Sequence, residues 1–319
     1  MSLTLALIVL LFALFLWAQV SHVRRCLATA RRGRRYLEII SLLRRLFEHL
    51  PQHRGMANAY LQGDERFRDK LVETQRAIDR EIEALDPQLS SGVETSLTWR
   101  WQQLKSDWLS LKSGLGSMAA EQSFQSHTHL VMAVIYLLDD AAVQSGLCQV
   151  ASDVTRLRHI VVSELPVMVE FIGRARGIGT GVASQRKVSV ADRVKLNFLA
   201  RRVEQAVFRN SQALAALFVS QPALGSQQVT VEQSRQSTLN FIQILNDRLL
   251  KAERIELLPT EYYDAGTAAI GQNLALFDGL LPVIVDHAER RYAQLKSSVI
   301  HRCTGLLLLG VGLLVFFAA

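Results

Sequence analysis

The stretch YLEIISLLRRLFEHL, residues 36–50, carries the pattern that decides the fold. Its apolar residues recur at three- or four-residue spacing, which places them on one side of an α-helix: Leu37, Ile40, Leu43 and Phe47. Similar spacing continues to about residue 300, and no segment has the length, β-branched density and strict alternation of a strand. The sequence therefore predicts an all-α protein, an elongated multi-helix bundle of the four-helix type with a sizeable core.

Further helices are predicted at 64–85, 97–112, 118–145, 147–164, 166–185, 190–219, 231–257 and 261–300. We expect Pro51 to interrupt the first helix or to start the next one, and Asp86-Pro87 to end the second. Two helix starts have capping-box chemistry, Ser189-x-x-Asp192 and Thr230-x-x-Gln233.

Both ends of the chain are apolar and uncharged. LTLALIVLLFALFLWAQV, residues 3–20, and TGLLLLGVGLLVFFAA, residues 304–319, would extend about 27 Å and about 24 Å as helices, against a bilayer core of about 30 Å. We predict a transmembrane helix in each segment, with Trp17 at the interface. The alternative for the first is a cleavable signal peptide, although it lacks a basic start and a clean cleavage site. The alternative for the second is a buried core helix.

A basic juxtamembrane segment follows the first apolar stretch. SHVRRCLATARRGRR, residues 21–35, holds six arginines and no acid, and these account for most of the formal net charge of +7. The remainder is almost neutral, so we expect no nucleic-acid partner, and we expect the segment to contact anionic membrane lipid. Basic loops stay in the cytosol. The charges thus predict a two-pass protein of the inner (plasma) membrane with a cytoplasmic central domain, 36–300; a periplasmic domain is the alternative.

The chain shows no recognisable catalytic or metal-binding motif. Its three cysteines are far apart, and it has no Gly-rich phosphate loop, H-E-x-x-H, C-x-x-C or G-x-S-x-G pattern. His127 and His129 diverge by about 200° on a helix and would not share a metal. We therefore predict no metal, no cofactor and no enzymatic activity. Three tryptophans on one helix are expected to be core or interface residues: Trp99, Trp101 and Trp108.

Two segments resemble each other around an arginine. Residues 51–61 read PQHRGMANAYL and residues 173–183 read GRARGIGTGVA, so Arg54-Gly55 and Arg176-Gly177 each precede small residues. Small residues let another helix approach closely, which would hold each arginine at a helix–helix seam. Two guanidinium groups facing one another would suit a flat oxyanion. The alternative is that these arginines are surface residues or halves of ordinary salt bridges.

HRGMANAYL and the following DERFRDKLVETQRAID resemble the nitrate- and nitrite-sensing domain of bacterial receptors and regulators. Gln52-His53-Arg54-Gly55 stands where that family often has Arg-Glu-Arg-Gly, and Arg76 to Asp79 fits the R-x-x-x-D-like end of the charged helix. ELPVMVEFIGRARGIGTGVASQ, residues 164–185, and the segment 261–291 are similar to other helices of such sensors. The resemblance covers about residues 40–300.

The resemblance implies an all-helical sensor that binds nitrate or nitrite through arginines from separate helices. Carried over by motif, Arg54 and Arg176 are the expected ligands, and Arg174 is a weaker third candidate. His53 replaces the glutamate of the family motif, which leaves the local ion pair and the identity of the anion open.

The family resemblance also bears on signalling. Such sensors commonly form homodimers and drive an output module; none is recognisable here, so we expect a separate output protein, reached through the last helix. Membrane-bound members usually place the sensor outside the cytosol, in contrast to the charge pattern of this chain. Two other readings stay open: a ligand-free helical membrane scaffold that regulates a receptor or transporter, and a membrane-bound enzyme.

Overall fold

The computed structural model describes residues 3–90, 93–145 and 152–318, and within these ranges the chain forms helices and no strand. The all-α prediction is therefore confirmed. The α-helices are α1 (Leu3–Leu61), α2 (Arg68–Leu89), α3 (Thr95–Gly114), α4 (Ala120–Gln144), α5 (Ser152–Arg158), α6 (Leu165–Gln185), α7 (Val190–Ser220), α8 (Gln228–Leu245) and α9 (Pro259–Ala318). A π-helical turn, His159–Glu164, joins α5 to α6, and another, Asn246–Leu250, follows α8.

Two prolines expected to break helices lie inside them. Helix α1 continues through Pro51 to Leu61, and α2 continues through Pro87 to Leu89. A proline removes one backbone hydrogen bond and strains the preceding turn. In α1 the residues directly after Pro51 bind two other helices, His53 to α4 and Arg54 to α6, and these tertiary contacts hold the helix past the proline.

One of the two predicted caps is present. The Ser189 hydroxyl accepts a hydrogen bond from the Asp192 backbone N–H at 3.0 Å and starts α7. Thr230 is not a cap, because α8 begins at Gln228, directly after a 3₁₀ turn at Pro222–Gln227. The predicted helix 231–257 is also too long, since α8 ends at Leu245 and its π-helical turn at Leu250. The predicted start at residue 147 lies outside the described residues.

The helices pack against one another as a bundle. Helix α1 contacts α2, α4 and α9, while α6 lies between α7 and α9, and α8 packs on α7 and α9. Apolar side chains from these helices fill the interior, among them Leu43, Ile172 and Phe277. Trp101 and Trp108 are buried core residues, as predicted, and each indole N–H donates to an aspartate of α2. Trp99 is 66% exposed.

Helices α1 and α9 run antiparallel beside each other well beyond the bundle; we refer to them as the α1–α9 pair. Arg44 lies 2.9 Å from Asp278, and Arg34 lies 2.9 Å from Glu289. Further along, the Phe12 ring sits 2.7 Å from the point where a Cβ on Gly310 would be, which keeps the same register.

One helical stretch among the described residues is long and apolar enough to cross a membrane, Pro259–His287, with a mean hydropathy of 1.5. Part of it is buried in the bundle, where Phe277, Leu280 and Ile284 belong to the core. Burial inside the protein accounts for that apolar character. The spans expected at 3–20 and 304–319 lie elsewhere in α1 and α9 and stay predictions.

Candidate anion-binding site

A cavity of about 450 Å³ opens between α1, α6 and α9 and the start of α2. Its walls combine apolar residues with a few charged or polar ones, the composition typical of small-molecule sites. We call it the anion cavity; it is lined by Phe47, Glu48, Pro51, Gln52, Met56, Phe67, Lys70, Val169, Gly173, Arg176, Tyr263, Thr267, Ile270, Gly271 and Leu274.

Arg176 of α6 lines the anion cavity and is held there by α9. Its Nη1 donates to the Thr267 hydroxyl at 2.8 Å, and its guanidinium stacks over the Tyr263 ring at 4.5 Å. The Nε atom is buried and has no hydrogen-bond partner. Burial lowers the pKa of Arg176, and the nearby Arg54 charge lowers it further. Arg176 is thus a partly desolvated cation whose Nε–H donor has no partner within the protein.

Glycine makes room for the Arg176 side chain. A Cβ on Gly266 of α9 would lie 2.8 Å from Cγ of Arg176. Such a separation is too short for two carbon atoms, so only glycine at 266 leaves the arginine stem this path between α6 and α9.

Arg54 lies behind the cavity wall in a closed ion pair. Its Nη1 and Nη2 donate to the two carboxylate oxygens of Glu170 at 2.7 and 3.0 Å, and Nη1 also donates to the Thr128 hydroxyl at 3.0 Å. The Phe124 ring covers one face of the guanidinium at 4.9 Å. Arg54 is 3% exposed and Glu170 is 1% exposed. Arg54 therefore joins α1, α4 and α6.

Gly173 lies between Arg54 and the cavity that Arg176 lines. A Cβ on Gly173, which lines the anion cavity, would lie 3.3 Å from Nη2 of Arg54. The charges of Arg54 and Glu170 both influence the pKa of Arg176. The fold thus brings the two predicted ligands, Arg54 and Arg176, into one electrostatic neighbourhood, with Arg176 lining the cavity and Arg54 next to the lining residue Gly173. Arg174, the third candidate, does not line the cavity, and its buried Nε has no hydrogen-bond partner.

Next to Arg54 lies a buried histidine pair. Nδ1 of His53 is 2.6 Å from Nε2 of His127, and Nδ1 of His127 lies 2.7 Å from the Ser123 carbonyl oxygen. Because a carbonyl only accepts, His127 is protonated on Nδ1, and His53 then donates from its own Nδ1. Burial, with the charges nearby, lowers the pKa of His53 to about 3 and that of His127 to about 4. Both rings are neutral at pH 7.

His129, by contrast, is exposed and lies 3.7 Å from Asp107. The two histidines of α4 therefore diverge as predicted. Within the described ranges, no group of three His, Cys, Asp or Glu side chains is arranged to hold a metal ion.

Several residues of the site carry no local signal in the sequence. Glu170 sits in an apolar run, and its partner is 116 positions away. Tyr263 and Thr267 lie in the segment 261–291, which is marked only by its similarity to a helix of other sensors. A hint existed for Glu170, since an acid on an otherwise apolar helix face needs a buried cation.

A family model described as nitrate and nitrite sensing matches residues 45–278. This chain belongs to the nitrate- and nitrite-sensing family. The match contains α2 to α8 and the parts of α1 and α9 that form the cavity. The family points to a sensing and regulatory role.

A solved structure titled as that of the NasR transcription antiterminator has the same fold. It superposes with a TM-score of 0.66 at 13% sequence identity, covering 92% of this chain and 82% of that one. At this identity the likeness concerns the fold alone. No curated protein matches the chain.

Proposed function

We propose that this protein is a membrane-anchored sensor that binds nitrate or nitrite in the anion cavity and passes the bound state to a separate output protein. The observation that carries the proposal is the position of Arg176. Its guanidinium belongs to α6, lines the cavity and touches Tyr263 and Thr267 of α9. An anion bound there would act on the contact between two helices.

The chemistry of the cavity suits a small planar anion. A guanidinium offers a flat fork of donors, and hydrogen bonds between charged groups are the stronger kind. Arg176 retains an unpartnered Nε in partly desolvated surroundings, where its attraction for an anion is less screened than in water. The positive charge of Arg54 behind Gly173 makes Arg54 the second arginine of the proposed site.

The same contacts supply a route for the signal. A ligand shifts a conformational equilibrium only if it binds the two states with different affinity. An anion that draws on Arg176 competes with the Thr267 and Tyr263 contacts, and so favours a different packing of α6 on α9. Helix α9 continues without interruption to Ala318 and would carry the change along the α1–α9 pair to a partner, in a homodimer as the family resemblance implies.

Exposed apolar side chains support the membrane anchors. In the first part of α1, Leu10 is 57% exposed, Leu14 53% and Trp17 71%. A contiguous apolar surface of this kind marks a contact with lipid or protein. We assign 3–20 and 304–319 to the inner membrane and the arginines of 21–35 to anionic lipid, with the central domain in the cytosol. An alkaline phosphatase fused after residue 319 should then be active; an inactive fusion, with an active cytosolic reporter in its place, would reverse the topology.

The test of the anion site is isothermal titration of sodium nitrate into the detergent-solubilised full chain. Arg176→Gln should weaken nitrate binding at least tenfold. Arg174→Gln, two residues away and off the cavity, should leave it unchanged. Both variants should keep the helical circular dichroism of the parent. Equal nitrate affinity in the parent and in Arg176→Gln would remove the proposed site.

One observation favours a second function, a ligand-free scaffold. Glu170 and Thr128 already accept from three of the five N–H donors of Arg54, so half of the expected arginine pair has an internal partner. Thermal unfolding with nitrate, nitrite, chloride and sulfate separates the two functions. A rise specific to nitrate or nitrite supports the sensor, and no shift with any of the four supports the scaffold.

A further inference from the structure

Glu170 occupies the place on Arg54 that a planar oxyanion would take. Its two carboxylate oxygens lie 2.7 and 3.0 Å from Nη1 and Nη2, and the pair is almost completely buried. Nitrate presents oxygens in a plane around one central atom, much as a carboxylate does. Nη1 and Nη2 of Arg54 can hold one such group bidentately, either the carboxylate or a nitrate, but not both at once.

An anion that enters from the cavity therefore reaches the fork formed by Nη1 and Nη2 of Arg54 only by displacing Glu170. Glu170, Gly173 and Arg176 follow one another at three-residue spacing on α6, and Gly173 separates Arg54 from the cavity without a side chain in between. Arg176 is not a partner of Glu170 in this structure: it lies six residues further along α6, about 9 Å along the helix axis, and its guanidinium contacts Thr267 and Tyr263 of α9.

We propose that Glu170 is an internal competitor for the anion, and that its displacement is accompanied by the uptake of one proton on its carboxyl group. This inference rests on the proposed function. A carboxyl group that is buried without a cation strongly favours its protonated form. Nitrate in solution and the ionised Glu170 each carry one negative charge; after the exchange, nitrate holds the charge beside Arg54 and Glu170 is neutral.

Other titratable groups surround the pair and are the competing sites for that proton. Helix α1 contributes His53, α4 contributes His127, α6 contributes Arg176 and α9 contributes Tyr263. The arginine is already protonated at pH 7. The histidines are the serious alternative, since both are neutral and close to Arg54.

The test is nitrate titration of the unmodified full chain at pH 7 in two buffers of different ionisation enthalpy, PIPES and Tris. The slope of the observed enthalpy against the buffer ionisation enthalpy gives the number of protons taken up. We expect a slope close to one. In Glu170→Gln, whose amide keeps the shape but cannot take the proton, the slope should fall to near zero and nitrate should bind at least tenfold more tightly.

Each other outcome is decisive. Nitrate binding without proton uptake in the parent overturns the inference and leaves the proposed function intact. A slope that persists in Glu170→Gln assigns the proton to another group, such as the histidine pair, and also overturns it. Binding to Glu170→Gln but not to the parent supports Glu170 as the competitor. No nitrate binding to either protein removes the proposed function, and this inference with it.

Discussion

Nδ1 of His53 and Nε2 of His127 lie 2.6 Å apart in the core, and both side chains are fully buried. The contact ties α1 to α4 one residue before Arg54. It replaces the acid that the family motif often has at position 53, and it does so with two neutral rings. The charge that directly faces Arg54 is therefore that of the Glu170 carboxylate, and the neighbouring histidine pair adds none at pH 7.

This pair predicts that the protein loses stability in mild acid. The pKa values of about 3 for His53 and about 4 for His127 lie below 6.5, the ordinary value, so the unfolded chain binds more protons. The contribution of the two neutral histidines to the free energy of unfolding is complete above pH 6.5 and is lost as the pH falls towards 4. Two such groups account for about 2 kcal/mol of unfolding free energy per pH unit near pH 5.

Chemical unfolding of the solubilised chain at pH 7 and pH 5 measures this loss. The double variant His53→Leu/His127→Leu should lose most of the pH dependence, whereas His129→Gln, an exposed histidine on the same helix, should keep it. If the parent and both variants lose the same free energy of unfolding between pH 7 and pH 5, other groups cause the loss.

The close packing of α6 on α9 predicts that Gly179 tolerates no side chain. A Cβ there would overlap the buried ring of Tyr262, whose hydroxyl donates to the Ala175 carbonyl at 3.0 Å. Gly179→Ala should lower the free energy of unfolding by about 1–3 kcal/mol, the usual cost of overpacking. Gly181→Ala, with nothing within 4 Å, should raise it by up to about 1 kcal/mol. Equal thermal shifts in both variants would contradict the packing.

Gly266 offers a way to move Arg176 without removing its charge. In Gly266→Ala the new methyl group would press on the arginine stem and displace the guanidinium from Thr267. Nitrate affinity in titration calorimetry should fall at least fivefold. Gly271→Ala lies on the same helix and also lines the cavity, yet meets no atom within 4 Å, so it should bind like the parent.

The buried ion pair predicts strong non-additivity in stability. Arg54→Leu leaves the Glu170 carboxylate buried without its partner and should cost about 3–5 kcal/mol. The double variant Arg54→Leu/Glu170→Leu removes both charges and should be more stable than the single variant. Urea unfolding of the solubilised parent, Arg54→Leu, Glu170→Leu and the double variant gives the comparison. A double variant that is less stable by the sum of the two single losses would show that the charges are not coupled.

The helices could be predicted because apolar spacing is a local property of the chain. The errors fall where distant contacts decide: α1 continues through Pro51 since His53 and Arg54 bind other helices beyond it. Helix α8 begins before Thr230 because a 3₁₀ turn leads into it. Rules based on neighbouring residues include neither the tertiary contacts that follow Pro51 nor the 3₁₀ turn that precedes α8.

The candidate site could be predicted in part. The Arg-Gly pattern pointed to Arg54 and Arg176. A Cβ on Gly177 would lie 3.3 Å from the Phe124 ring of α4, as a helix seam requires, whereas Gly55 is exposed and meets no atom within 4 Å. The partner of Arg54 could not be deduced, because any of many acids could face it once the chain folds. The spacing also could not show that one guanidinium faces a cavity while the other lies behind Gly173.

The register of the α1–α9 pair has a mechanical consequence. From Phe12 to Arg44 the helix extends about 48 Å, and the same pairing holds at both ends of that length. A slide of α9 by one helical turn, about 5.4 Å, would separate Arg34 from Glu289 and Arg44 from Asp278 at the same moment. The two helices therefore have discrete axial positions open to them, one helical turn apart, and these two ion pairs would have to break together in passing from one to the next.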